Sequence, residues 1–140
     1  MQSGGKGMKM VKLLSFTGAV VFAVIGLIFL LIPNNVLVFF NHISDYVGLP
    51  QSPVQCTGFY LALAAAYMYL VAILACLIYR HPEVRWFPIL LANGKLASSA
   101  ISLFLFLTNQ PYLILITNCI ADGIIGVVVL LYYLRLRRKE

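Results

Sequence analysis

Four apolar runs constrain this chain more than any other feature of its sequence. They cover about residues 11–32, 56–79, 88–107 and 112–134. Each run is long enough for a helix that crosses the hydrocarbon core of a bilayer, which needs about 20 residues. Only 10% of the residues are charged, against about 25% in soluble domains. We therefore predict an all-α, polytopic membrane protein in which residues 1–140 form a single four-helix transmembrane domain.

The first run follows Lys6, Lys9 and Lys12 and therefore resembles a signal peptide. Its length is sufficient to span the membrane, and no small-x-small cleavage site precedes Pro33, so we expect it to remain as a span. Small residues form a stripe along this helix that allows close approach of a neighbouring helix. The stripe consists of Gly18, Ala19, Ala23 and Gly26.

The segment 34–47 is too short to cross a bilayer, but it has the period of an amphipathic helix. One arc of this helix is apolar and comprises Val36, Phe39, Phe40, Ile43, Tyr46 and Val47. The opposite side carries Asn41, His42 and Asp45. This pattern predicts a helix that lies in the membrane interface between the first two spans.

The basic residues predict the orientation of the chain. Every Lys and Arg except Lys95 lies in the N-terminal segment, in the loop 80–86 or in the C-terminal segment. With four spans, these three regions fall on one side of the membrane, which the positive-inside rule assigns to the cytoplasm. We expect an integral protein of a bacterial-type plasma membrane with both termini in the cytoplasm. The net charge of +6 then comes from basic residues next to the membrane surface, and a nucleic-acid partner is not expected.

The third and fourth runs each carry one ionisable residue, Lys95 and Asp122, within the membrane. An antiparallel hairpin folded about the turn at 108–111 places Lys95 level with Asp122 and Ser99 level with Asn118. A cation and an anion at equal depth can pair, which makes both tolerable in a bilayer. We call the resulting group of side chains the polar seam. It comprises Lys95, Ser98, Ser99, Ser102, Asn118 and Asp122.

Two interpretations of the Lys95–Asp122 pair stay open. The pair either fixes the register of the two helices or takes part in transport or ligand binding. Gly94, Gly123 and Gly126 either allow close backbone approach or leave room for a ligand.

Residues outside the seam give weaker signals. Tyr67 is predicted in mid-span, where its hydroxyl needs a partner and can face the seam. His42 and Asp45 are either solvated polar residues or part of a lid over a ligand. The cysteines Cys56, Cys76 and Cys119 lack metal-ligand spacing. We expect Cys76 and Cys119 to be small core residues, and no metal site is predicted.

Several Gly, Pro and Phe residues mark the first half of the chain. They are Gly18, Gly26, Phe29 and Pro33 at the first helix, the Phe39-Phe40 pair, Gly48-Leu49-Pro50, and Gly58 before an Ala-rich helix. In these residues the chain resembles the DoxX-like group of small four-helix membrane proteins. The resemblance implies a role in membrane redox, as in a subunit of a thiosulfate:quinone oxidoreductase, and a quinone as the candidate ligand. No catalytic motif of that group occurs here.

Three functions compete at this point. The first is an accessory or quinone-facing subunit of a larger membrane complex. The second is a small transporter or proton-coupled carrier that works as a homo-oligomer and uses Lys95 and Asp122. The third is an enzyme for a lipid or quinone that uses Lys95, Asp122 and Tyr67, but a carboxylate tied to a lysine is a poor general base. Soluble-type catalytic motifs are absent from the sequence, so an enzyme is the least favoured of the three functions.

Overall fold

The structure, a computed structural model, describes residues 3–54, 58–108 and 111–137, with side chains for 10–54, 60–108 and 111–134. These residues form five helices: α1 (Ser3–Leu31), α2 (Pro33–Val47), α3 (Gly58–Arg80), α4 (Trp86–Thr108) and α5 (Leu113–Arg137). All but α2 are long and apolar enough to cross a membrane. The predicted all-helical architecture with four transmembrane helices is confirmed, and the chain is a small integral membrane protein.

Two helix pairs build the bundle. The helix α1 packs along α3, α4 packs along α5, and a smaller contact between α3 and α4 joins the pairs. Within the first pair, the ring of Phe16 lies 5.6 Å from that of Tyr79. Further along, a Cβ on Gly26 would lie only 3.1 Å from Cβ of Met68. Glycine at position 26 therefore allows the two backbones to approach, as the small-residue stripe predicts for this position.

The outer surface of the four spans is apolar. Leu30 and Leu31 on α1, Leu70 on α3, Phe104 on α4 and Ile124 on α5 are all more than half exposed. In water such a surface would drive aggregation, whereas in a bilayer it contacts lipid tails. Burial inside the bundle is limited to one side of each helix.

The helix α2 forms where a helix was predicted, but the structure does not support an amphipathic helix in the membrane interface. Leu37, Asn41 and Ser44 are its buried residues, and it contacts α5 and α1. The sequence pattern placed Asn41 on the polar side, away from the bundle, but in the structure Asn41 is buried. Tyr46, which the pattern placed on the apolar side, is 91% exposed and points away from the bundle.

Asn41 faces the bundle because its side chain forms hydrogen bonds with the loop that follows α2; we call this contact the latch. The Asn41 side chain donates to the Ser52 carbonyl and accepts from the Ser52 N–H, both at 2.8 Å. A buried loop backbone needs such partners. The chain turns at Gly48, whose φ of 72° suits glycine. Asp45 accepts a hydrogen bond from Gln51 at 2.8 Å within the same loop.

Two details of the predicted boundaries cannot be compared with the structure. Cys56, the predicted start of the second span, and the centre of the turn at 109–110 lie outside the described residues. Elsewhere α1 begins eight or so residues before the predicted run, in the basic N-terminal segment, and α5 extends to Arg137. Pro33 lies in the first turn of α2, where its missing N–H is not required.

Candidate functional site

The Lys95–Asp122 pair lies at the centre of the candidate site. The Lys95 Nζ atom is 2.7 Å from Oδ1 of Asp122. Lys95 has no exposed surface and Asp122 is 2% exposed. The contact predicted from the hairpin is therefore present, and it is closed to solvent and lipid. A single charge buried in this apolar setting would carry a large free-energy cost of desolvation. The attraction between Lys95 and Asp122 offsets most of that cost.

Aromatic rings surround the ammonium group from the other two spans. The Nζ atom of Lys95 lies 4.3 Å from the ring centroid of Phe22 and 5.0 Å from that of Tyr67. Both distances are within the range of cation–π attraction, which is stronger in a desolvated site. Phe22, Tyr67, Lys95 and Asp122 thus bring one side chain from each transmembrane helix to a single point.

Two polar atoms in this centre have no hydrogen-bond partner among the described residues. They are the hydroxyl oxygen of Tyr67 and Oδ2 of Asp122, and both are buried. Buried polar groups are nearly always hydrogen-bonded, so these two atoms make the centre a candidate binding site. The Asp122 carboxylate is an acceptor only, whereas the tyrosine hydroxyl can donate.

The rest of the polar seam continues along α4 and α5. The Asn118 amide donates to Ser98 Oγ at 3.2 Å and to Ser102 Oγ at 2.8 Å. Ser99 Oγ donates to the Cys119 carbonyl at 2.8 Å. Asn118 therefore bridges the two serines on either side of Ser99, instead of bonding Ser99 itself. Every residue predicted for the seam thus makes a polar contact between α4 and α5, although Ser99 bonds Cys119 and not another predicted residue.

An open groove of about 380 Å³ lies against the seam on the outer face of α3 and α4. Its lining comprises Tyr67, Gly94, Ala97, Ser98, Ile101 and Ser102. A Cβ on Gly94 would lie 3.8 Å from the Tyr67 hydroxyl, so the absence of a side chain at position 94 leaves space in front of that group. Exposed Ile101 forms an apolar edge, as expected for an opening towards lipid.

The remaining predicted residues do not join this centre. His42 is exposed, Asp45 bonds Gln51, and no described hydrogen bond or ion pair links either residue to the seam. Their role as a lid stays a prediction. Cys119 contacts Ser99, but Cys76 is exposed, so its predicted place in the core is wrong. In a membrane protein an apolar run faces lipid as readily as it faces the core.

Sequence reasoning missed Phe22 and did not anticipate the latch at Asn41. Phe22 is one of many apolar residues on α1, and nothing in its spacing marks it as the residue that covers Lys95. Tyr67 carried a signal, because a tyrosine in mid-span needs a polar neighbour. Within the described part of the chain, no group of three His, Cys, Asp or Glu residues is arranged to hold a metal ion.

These features define a class of protein: a small integral membrane protein whose four spans meet at one buried ion pair. Comparisons of the chain with protein families, with curated proteins and with solved structures found no match.

Proposed function

We propose that this chain is an accessory, quinone-facing subunit of a larger membrane complex. The observation that carries the proposal is the buried Tyr67 hydroxyl, which has no described partner, on a residue that lines a groove open to the bilayer. A quinone dissolved in the membrane can reach this groove from the side. Its carbonyl oxygen is an acceptor that fits a tyrosine hydroxyl, which can donate.

The seam supplies further donors to the same groove. Ser98 and Ser102 line it, and each Oγ already accepts a hydrogen bond from Asn118. Their hydroxyl hydrogens are therefore free to point away from Asn118, towards the groove or a helix carbonyl. A site with a few polar groups on an otherwise apolar wall is typical of ligand recognition.

A role as a subunit is supported by the resemblance to DoxX-like proteins and by the small size of the chain. The bundle leaves long apolar faces on every span, which can contact partner helices as well as lipid. The basic residues at three regions favour an orientation with both termini in the cytoplasm of a bacterial-type plasma membrane.

Replacement of Tyr67 by phenylalanine is the sharpest test of the quinone proposal. The change removes only an unpartnered hydroxyl, so we expect the stability of the protein to stay the same or rise slightly. Quinone retention should fall by about tenfold or more, because a hydrogen bond in an apolar site is lost. The measurement is quinone content after purification in mild detergent, by extraction and chromatography.

Tyr69→Phe is the matched control for this experiment. Tyr69 is on the same helix and is 68% exposed, so the same hydroxyl is removed from an outer face. Quinone content should be unchanged in this variant. Equal quinone content in wild type and Tyr67→Phe, or no quinone in either, would remove the proposal.

A second candidate function is a small oligomeric transporter or proton-coupled carrier. It is favoured by the free acceptor at Oδ2 of Asp122, beside a lysine that the carboxylate already binds. Buried charges in a membrane often mark an ion or proton path. One protomer offers little room for a complete path, so a homo-oligomer would be required.

Asp122→Asn tests this transport function. If the carboxylate carries a proton, the variant should lose most of the proton flux into proteoliposomes, measured with a pH-sensitive dye trapped inside. Since the variant leaves the Lys95 charge unpaired, its folding must be checked by gel filtration. Lys95→Met/Asp122→Leu, which removes both charges, is the control for misfolding. Wild-type flux in either folded variant would exclude the pair from transport.

A further inference from the structure

A second cavity lies between the transmembrane helices, apart from the groove at Tyr67, and it is partly open to lipid, since its lining residues Met10, Leu14 and Val128 are more than half exposed. It has a volume of about 310 Å³ and is bounded by all four transmembrane helices. Met10, Gly18 and Phe22 line it from α1, and Ile78, Leu91 and Val129 are among the residues that line it from the other spans. The lining residue Phe22 also covers Lys95, whose Nζ lies 4.3 Å from the ring centroid.

The cavity extends along α1. Met10 and Phe22 both line it, and at about 1.5 Å per residue they lie about 18 Å apart along the helix. A cleft of that length can accommodate one extended hydrocarbon chain. The apolar lining agrees with such an occupant.

The cavity lies in the half of the bundle that ends at the basic segments. Its lining comes from the N-terminal part of α1, the C-terminal part of α3, the start of α4 and the C-terminal part of α5. These are the ends next to which every Lys and Arg of the chain except Lys95 is found. Lys12 follows the lining residue Val11, and Arg80 lies two residues beyond the lining residue Ile78; both Lys12 and Arg80 are exposed.

We propose that this cavity binds an anionic phospholipid, with one acyl chain between the helices and the phosphate group at the basic end. An apolar cleft fits the chain, and the nearby cations favour an anionic over a zwitterionic headgroup. Basic pockets between membrane helices bind lipid headgroups in this manner. The bound chain fills space that side chains leave empty and so holds the two helix pairs together.

The test is native mass spectrometry of the detergent-purified protein with phosphatidylglycerol or with phosphatidylcholine that carries the same acyl chains. We expect one phosphatidylglycerol to remain bound at a concentration at least about tenfold lower than phosphatidylcholine needs. The variant Lys12→Gln/Arg80→Gln should abolish this preference, because each of the two charges is worth about fivefold.

Gly18→Leu tests the place of the acyl chain. A Cβ at position 18 would meet no atom within 4 Å, so a leucine can enter the cavity without a clash. Because leucine also favours a helix more than glycine does, the variant should fold at least as well as the wild type. We expect its retention of phosphatidylglycerol to fall at least about tenfold, since the space for the chain is occupied.

Val20→Leu is the matched control, because Val20 is 48% exposed on the same helix and does not line the cavity. Its lipid binding should equal that of the wild type. Equal retention of the two lipids, or undiminished phosphatidylglycerol binding in Gly18→Leu, would overturn the proposal. Loss of a bound quinone in Gly18→Leu, with phosphatidylglycerol unaffected, would overturn it too and assign the cavity to the quinone.

Discussion

Lys95→Met or Asp122→Leu alone is expected to lower the free energy of unfolding by about 3 kcal/mol or more. Either change leaves one charge at a position with at most 2% exposure and no described partner of opposite sign. The double variant Lys95→Met/Asp122→Leu removes both charges, and its side chains have similar sizes to the originals. It should therefore be much closer in stability to the wild type than either single variant.

The two single variants and the double variant are compared with the wild type by two measurements. One is the fraction of protein that stays monodisperse after heating in detergent, and the other is chemical unfolding. The control is Asp45→Leu, which removes an exposed carboxylate whose described hydrogen bond is to Gln51; such a change costs little. Strictly additive effects of the two single changes would contradict the 2.7 Å contact. A double variant that folds well but loses flux or ligand would assign the pair a function beyond structure.

Gly126→Ala is expected to lower the free energy of unfolding by about 1–3 kcal/mol. An added Cβ would lie 2.8 Å from Cγ of Leu96 and 3.2 Å from the Leu96 backbone nitrogen. The leucine side chain can change its rotamer, but the backbone nitrogen can move only if α4 and α5 separate. That separation would weaken the contacts of the polar seam.

Gly18→Ala is the matched control, since it makes the same chemical change on a membrane helix where no atom lies within 4 Å of the new Cβ. Alanine favours a helix over glycine by up to about 1 kcal/mol, so this variant should be as stable as the wild type or slightly more stable. Thermal stability in detergent, measured side by side, distinguishes the two positions. If both variants gain stability, α4 and α5 do not pack as closely as the structure describes.

Two glycines of α1, Gly18 and Gly26, illustrate what a sequence pattern can and cannot predict. Gly18 and Gly26 belong to the same small-residue stripe on α1, yet only Gly26 lies against a neighbouring helix. Gly18 opens into the cavity. Small residues permit close approach, but the crossing point of two helices depends on all their side chains together. Sequence alone could not assign the two roles.

The helix α2 differs from its prediction for a similar reason. The helical spacing of its apolar residues correctly predicted a helix, because that spacing depends only on residues close together in the sequence. Which side of that helix meets the bundle depended on partners that are distant in the chain. Asn41 turns inward because the Ser52 backbone needs a donor and an acceptor at that place. Periodicity contains no information about that need.

The number of spans and the contact between Lys95 and Asp122 followed from the sequence. Span length is set by the thickness of the bilayer, and a short turn between two spans leaves only one way to align their charges. Only the tertiary structure decided that Phe22 and Tyr67 enclose the lysine, that Tyr67 lines a groove, and that a cavity extends along α1 as far as Phe22. These features join helices that are not paired by a short turn, so their relative rotation and depth are set by packing and not by any local pattern.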